Sequence, residues 1–208
     1  FVNPSQFNKK KDFRNYPKKN KQDIDVLKKL KVDYLLMPNV KEVYINKKSS
    51  KIKLNKEDKI MCAYYRPGHF EGVLAVINQL LKIVKAKYMF LGEKDYQQIH
   101  LIKKFIKKKF ITKVIPCKTV RDNNSLAYSS RNFLLNKDQL LKASIVSKRI
   151  KNLYISINKN FKNINQIKNI KKQFTKEKIK VEYLEVRNKY TLSKNYNKKN
   201  FKIFICFY

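Results

Sequence analysis

Apolar positions along the chain recur with two different periods, and the alternation between them sets the expected architecture. In KQDIDVLKKL (21–30), Ile24, Leu27 and Leu30 fall on one helical face, which predicts an amphipathic helix. VDYLLMP (32–38) reads as a short buried strand closed by Pro38. The polar stretch NKKSSKIKLNKEDK (46–59) predicts an edge hairpin with one short strand. GVLAVINQLLKIVK (72–85) carries Val73, Val76, Ile77, Leu80, Leu81 and Val84, a helix apolar on most sides and therefore buried. KYMFL then predicts a strand, DYQQIHLIKKFIKK a helix with Ile99, Ile102 and Ile106 inward, and TKVIPC another strand. Strands alternating with helices imply an α/β fold with a parallel sheet and helices on its faces.

From about Arg121 the pattern changes. An irregular stretch leads to helical periodicity over 137–158 and 164–178, followed by two strand candidates, VEYLEV (181–186) and FKIFICFY (201–208). Two helices followed by strands suggest a smaller α+β domain. No internal repeat is found. At the other end the chain opens FVNPSQF without Met, an apolar pair running directly into a loop signature. This reads as the tail of a strand whose beginning lies outside the sequence.

Composition narrows the function classes. The formal net charge is +35, and only six of the 50 basic residues are arginine. Arginine supplies the fork geometry that base and phosphate readers favour. Here lysine is spread over the whole chain alongside abundant Asn, Ile, Phe and Tyr, residues with A/T-rich codons. A lysine-biased proteome explains that spread better than a specific nucleic-acid surface, although nonspecific polyanion binding at low salt follows either way. Cys62, Cys117 and Cys206 are odd in number and widely spaced, which favours a reducing compartment over a disulfide framework. Two histidines make a His-rich zinc site a poor fit. No apolar window approaches the roughly 18 residues of a membrane span, and no signal peptide is visible.

The chain has three glycines, and all fall within two polar stretches that follow apolar runs. LGEKDYQQ (91–98) follows a strand, where ligands bind in open parallel sheets. Gly92 would let the backbone turn and approach a ligand. Lys94 offers a point charge for phosphate, Asp95 an acceptor for ribose hydroxyls or a helix cap, and Gln98 an amide for a carboxylate or hydroxyl. A plain strand–turn–helix junction accounts for the same residues about equally well. FVNPSQF places Asn3 and Gln6 at a similar strand end. RPGHFEG (66–72) holds the other two glycines beside Arg66 and His69, and AYSSRN (127–132) adds two hydroxyls and an arginine suited to phosphate oxygens. Each alone has a bland explanation, a turn or a helix entry; together they gather the scarce residue types and three of the arginines.

These stretches, FVNPSQF, DF-x-x-YP at 12–17, RPGHF-x-GV at 66–73, LGEKDYQQ at 91–98 and TVR…LAYSSRN at 119–132, resemble the pantothenate synthetase (pantoate–β-alanine ligase) family in order and spacing. The resemblance is strong over 1–135, weaker over 136–190, and does not extend to 191–208. It implies a Rossmann-like nucleotide-binding domain of the class I aminoacyl-tRNA synthetase kind over 1–121, its first strand–helix unit missing, with a C-terminal lid domain over 122–208. It implies an ATP-dependent ligase that condenses pantoate with β-alanine through a pantoyl adenylate, with magnesium, as a cytoplasmic homodimer without specific nucleic-acid or membrane partners. By motif, Gln6, Gln98 and Asn3 would bind pantoate and β-alanine. Gly92, Glu93, Lys94, Asp95, Val120, Tyr128, Ser129, Ser130 and Arg131 would bind ATP, and Lys94 and Arg131 would stabilise charge as pyrophosphate departs.

The family's MGxLHxGH signature would precede Phe1, so the expectation is that this chain alone is inactive in adenylation. Ser125 stands where the family commonly has glycine, and Tyr128 where an aliphatic residue is common. Two other readings stay open: a basic nucleic-acid-binding module, and a related nucleotidyltransferase that activates another small carboxylic acid.

Overall fold

The computed structural model describes residues 1–7, 10–44 and 52–208. The chain forms two compact units, Phe1–Phe90 with Leu101–Ile115, and Leu91–His100 with Pro116–Tyr208.

In the first unit a 3-10 turn, Pro4–Gln6, follows Phe1–Asn3, which are coil. Helices α1 (Lys10–Asn15), α2 (Asn20–Lys29), α3 (Val40–Val43), α4 (Cys62–Tyr65) and α5 (His69–Ile83) come next. α3 is short, but its start is defined by a reciprocal cap: Asn39 Oδ1 accepts from Glu42 N at 3.0 Å and Asn39 N donates to Glu42 Oε2 at 2.7 Å. α5 begins three residues earlier than the apolar period suggests. Gly68 precedes it with φ +83°, a left-handed residue that lets the chain enter the helix at His69. Phe70, Val73, Leu74, Val76 and Leu81 of α5 are buried, whereas Val84 lies beyond the helix and is exposed.

α2 forms where its period places it, but it buries no residue: Ile24 and Leu27 are half-covered and Leu30 is exposed. The expected strand at 32–38 is absent. Val32, Tyr34, Leu35, Leu36 and Met37 are all exposed, and among the described residues no strand pairs with them. An apolar run identifies a segment that can pair, but a strand also needs a neighbour to take up its N–H and C=O groups. The expected hairpin at 46–59 lies partly outside the described residues; residues 52–59 are coil and a 3-10 turn at Lys56–Asp58.

Strand β1 (Tyr88–Gly92), helix α6 (Tyr96–Ile106) and strand β2 (Lys113–Cys117) form the expected crossover, with β1 and β2 neighbours in a parallel sheet. The inward prediction for α6 holds: Ile99, Ile102 and Ile106 are all buried. Thr112, buried, ties the entry to β2 by donating to Ala86 O at 2.6 Å.

In the second unit, α7 (Lys137–Lys159) starts at a capping box between Asn136 and Gln139, and α8 (Gln166–Lys176) follows the turn Phe161–Asn165. Strands β3 (Val181–Asn188) and β4 (Phe201–Phe207) pair antiparallel, with Leu184 opposite Ile205, Val186 opposite Ile203 and Asn188 opposite Phe201. Val146, Phe174, Ile179 and Leu184 form one core cluster, and Leu153, Ile157, Val186 and Phe201 a second. This is the α+β arrangement that the C-terminal pattern predicts. Among the described residues no helix is long and apolar enough to cross a membrane.

Candidate active site

In the first unit the stretches FVNPSQF and RPGHFEGV lock onto each other. Asn3 is buried, and both ends of its amide are engaged: Nδ2 donates to Gly72 O at 3.0 Å, while Oδ1 accepts from Ser5 N at 3.3 Å and from Tyr44 Oη at 3.1 Å. His69 Nδ1 lies 2.6 Å from Gln6 O and, facing a carbonyl, is the donor. A Cβ on Gly72 would sit 2.3 Å from Ser5 O, so only glycine allows the 3-10 turn to rest on α5. Gln6 is thus fixed at its backbone by His69 and at its flank by Gly72. The sequence shows both motifs but not their mutual contact; its one signal is the second glycine of RPGHFEG, which lies in the first turn of α5, where glycine costs helix stability.

In the second unit the run LGEKDYQQ follows the end of β1. Glu93–Asp95 form a 3-10 turn that continues directly into α6. Gly92 has φ −70° and ψ 128°, extended backbone that any residue adopts, so the sharp turn expected there is not made. Apart from its chain neighbours, a Cβ on Gly92 would meet no atom of the described residues within 4 Å, so open space lies beside the backbone here. Lys94 and Asp95 are adjacent to it and exposed, with Nζ 3.7 Å from Oδ2. Asp95 thus presents its carboxylate beside an ammonium. Gln98 is half-buried one turn into α6, and its neighbour Gln97 is buried.

Tyr96, at the first position of α6, makes contacts far along the chain. Its hydroxyl donates to Lys189 O at 2.9 Å, its ring packs edge-on to Phe204 at 5.8 Å, and Lys202 Nζ lies 4.0 Å from the ring centroid. Lys202 Nζ is also 3.5 Å from Glu93 Oε2. Burial, then the charges of Glu93 and Tyr190, push the Tyr96 phenol above its ordinary value of 10.0. Tyr96 stood inside a quoted motif, but its partners lie about 100 residues on, where the sequence carried no recognisable signal.

The third stretch is a tight turn after β2. Arg121 bridges Ala127, and Tyr128 N donates to Val120 O at 3.1 Å. Asp122 Oδ1 accepts from Asn124 N and Leu126 N, both at 2.9 Å, closing the turn from inside. Arg121 Nη1 donates to Ser125 O at 3.0 Å. Ser125 has φ +67°, the left-handed conformation that favours glycine. The serine at this position therefore carries backbone strain, of order 1 kcal/mol. The turn sets Val120 and Tyr128 side by side with both side chains exposed. Ser129 caps the next turn through Oγ, which accepts from Arg131 N at 3.3 Å, and Asn132 Nδ2 braces it on Ala127 O at 3.0 Å. Ser129 and Ser130 are half-buried and Arg131 is exposed. Asn3 and Gln6 thus belong to one unit, and all the other candidate residues to the second.

Among the described residues no three His, Cys, Asp or Glu side chains cluster to hold a metal ion. Magnesium is commonly held by one or two carboxylates together with substrate phosphates.

A sequence model described as pantoate–β-alanine ligase matches residues 1–208, so the similarity also includes the segment 191–208 that seemed not to belong. The chain is 38% identical over 207 residues to a bifunctional pantoate ligase/cytidylate kinase of Prochlorococcus marinus subsp. pastoris, covering 98% of this chain and 40% of that protein. It is 35% identical over 195 residues to a pantothenate synthetase of Clostridium botulinum, covering 92% of this chain and 69% of the other. A solved structure of pantoate–β-alanine ligase from Francisella tularensis, complexed with β-γ ATP and β-alanine, superposes with a TM-score of 0.83 at 34% identity, over 100% of this chain and 72% of that one. The fold is accordingly α/β and Rossmann-like, with a small C-terminal α+β domain.

Proposed function

This chain belongs to the pantoate–β-alanine ligase family, and we propose that it provides the nucleotide- and pantoate-binding surface of an ATP-dependent ligase that makes pantothenate from pantoate and β-alanine. In the first step a carboxylate oxygen of pantoate bonds to the α-phosphorus of ATP, the bond to the β-phosphate oxygen breaks, and pyrophosphate leaves. In the second the amine of β-alanine attacks the acyl carbon of pantoyl adenylate, AMP leaves with the bonding electrons, and the nitrogen gives up a proton. Neither step needs a protein nucleophile; both need alignment and charge stabilisation.

Gln98 is assigned to pantoate by its motif in this reading, and Gln6 separately by its own. Asn3, its amide engaged by Gly72, Ser5 and Tyr44, keeps the Gln6 turn in place. Gly92, Glu93 and Asp95 lie along the ribose, and Val120 and Tyr128 flank the adenine. Lys94, Ser129, Ser130 and Arg131 take the phosphates, with Lys94 and Arg131 opposing the charge that builds as pyrophosphate departs. Magnesium would enter on the phosphates, and the working assembly would be a cytoplasmic homodimer.

The observation that carries the reading is Gly92, which sits at the carboxyl end of a strand beside Lys94 and Asp95 with no protein atom where its side chain would be. Such a glycine is explained by a ligand that comes up against the backbone. Calorimetric titration with ATP in a salt series tests it. Specific binding persists at high salt and weakens at least about tenfold in Lys94→Ala, as expected for loss of a desolvated charge contact. Binding that vanishes with salt, and that any polyanion matches, would instead support the nonspecific basic surface.

A further inference from the structure

We propose that Tyr96 is a positioning residue that fastens the Glu93–Asp95 turn to the β3–β4 hairpin, so that the hairpin sets where Lys94 and Asp95 stand. The inference rests on the ligase reading for the role of those two residues, but the anchoring itself rests on geometry alone.

The hairpin is built as a rigid platform. Arg187 is buried, and its Nε and Nη2 meet Glu185 Oε2 at 2.7 and 2.6 Å, while its Nη1 donates to Leu192 O at 2.8 Å. Leu192, itself buried, takes φ +58° to present that carbonyl. Asn188 Oδ1 accepts from Tyr190 N at 2.8 Å, and Lys189 N donates to Asn200 O at 2.7 Å. The carbonyl that receives the Tyr96 hydroxyl thus belongs to a pinned residue. Lys202 stands opposite Arg187 in the strand register, and its ammonium lies against both the Tyr96 ring and Glu93. Tyr96 and Glu93 bracket Lys94 and Asp95 in the chain, so the two residues assigned to the nucleotide are held from both sides by one strand pair. Leu91–His100 accordingly cluster with the C-terminal residues rather than with the remainder of α6.

Tyr96→Phe removes the hydroxyl and keeps the ring; Lys202→Met removes the ammonium and keeps the stem. Hydrogen exchange on the full chain, followed by peptide, is the primary measurement. Each variant is expected to speed exchange across 93–98 by about 3- to 10-fold, the loss of one hydrogen bond or cation–π contact, with α8 unchanged. ATP affinity, where the parent chain binds ATP, falls by a similar factor. Exchange over 93–98 that matches the parent in both variants, or that rises only together with α8 as global loosening, overturns the proposal. Failure of the parent chain to bind ATP counts against the ligase reading alone, because the exchange measurement does not use nucleotide.

Discussion

Gly72→Ala should be among the most damaging single-methyl changes available to this chain. The added Cβ would lie 2.3 Å from Ser5 O, 2.7 Å from Ser5 C and 3.0 Å from Gln6 N, all backbone atoms without a rotamer to change. Restoring ordinary contact requires the Pro4–Gln6 turn to retreat by about 1 Å from α5, and such overpacking costs roughly 1–3 kcal/mol. The retreat also loosens the Asn3–Gly72 and His69–Gln6 hydrogen bonds, each worth about 1 kcal/mol net. Alanine in place of glycine within a helix returns about 1 kcal/mol. The balance is a destabilisation of about 2–4 kcal/mol, or about 5–15 °C in Tm for a chain of this size. Urea unfolding followed by circular dichroism measures it, with Gly92→Ala as the matched control. At Gly92 a methyl meets no protein atom within 4 Å and φ is −70°, so stability should move by less than about 0.5 kcal/mol. The ligase reading adds that Gly92→Ala weakens ATP binding. If Gly72→Ala is as stable as its parent, the close approach of the N-terminal turn to α5 is wrong, and with it the placement of Gln6.

Two further predictions concern the core and the alkaline limb. Phe174→Ala empties the centre of a cluster whose aromatic ring is wholly buried among Val146, Ile179 and Leu184; it should cost about 3–5 kcal/mol by urea titration, and a loss below 1 kcal/mol would show that α8 does not pack on β3 as described. The hydrogen bond to Asp58 holds the Lys104 ammonium above its ordinary 10.5. A folded pKa above the unfolded one gives stability that is fully present below 10.5 and lost as pH rises through the folded value. Unfolding free energy should therefore fall more steeply above pH 10.5 in the parent than in Lys104→Met; with the Lys104 side chain nearly half exposed, the neutral-pH difference should not exceed about 1 kcal/mol, and parallel curves would refute the pairing.

The elements that carry their own period were readable in advance. α6 shows why: Ile99, Ile102 and Ile106 form a stripe that only one orientation buries. β3 and β4 were visible because their alternating and aromatic runs pair with each other a short distance along the chain. Val32–Met37 failed because pairing depends on a second segment, which local sequence does not encode. The site divides in the same way. The motifs displayed their charged and amide residues, but not what each touches. The burial of Asn3, the glycine needed at 72, and Tyr96 reaching residues about 100 positions later are all long-range facts. Ser125 is intermediate: the departure was noticed, and its left-handed φ gives the reason glycine suits that place.

The division of the chain has a practical corollary. Residues 91–100 belong with the C-terminal portion and 101–115 with the N-terminal one, so the polypeptide passes from one compact body to the other three times, once inside an unbroken helix. No single scission can release either body intact. A graft of any one contiguous segment short of the whole chain would leave at least one body incomplete.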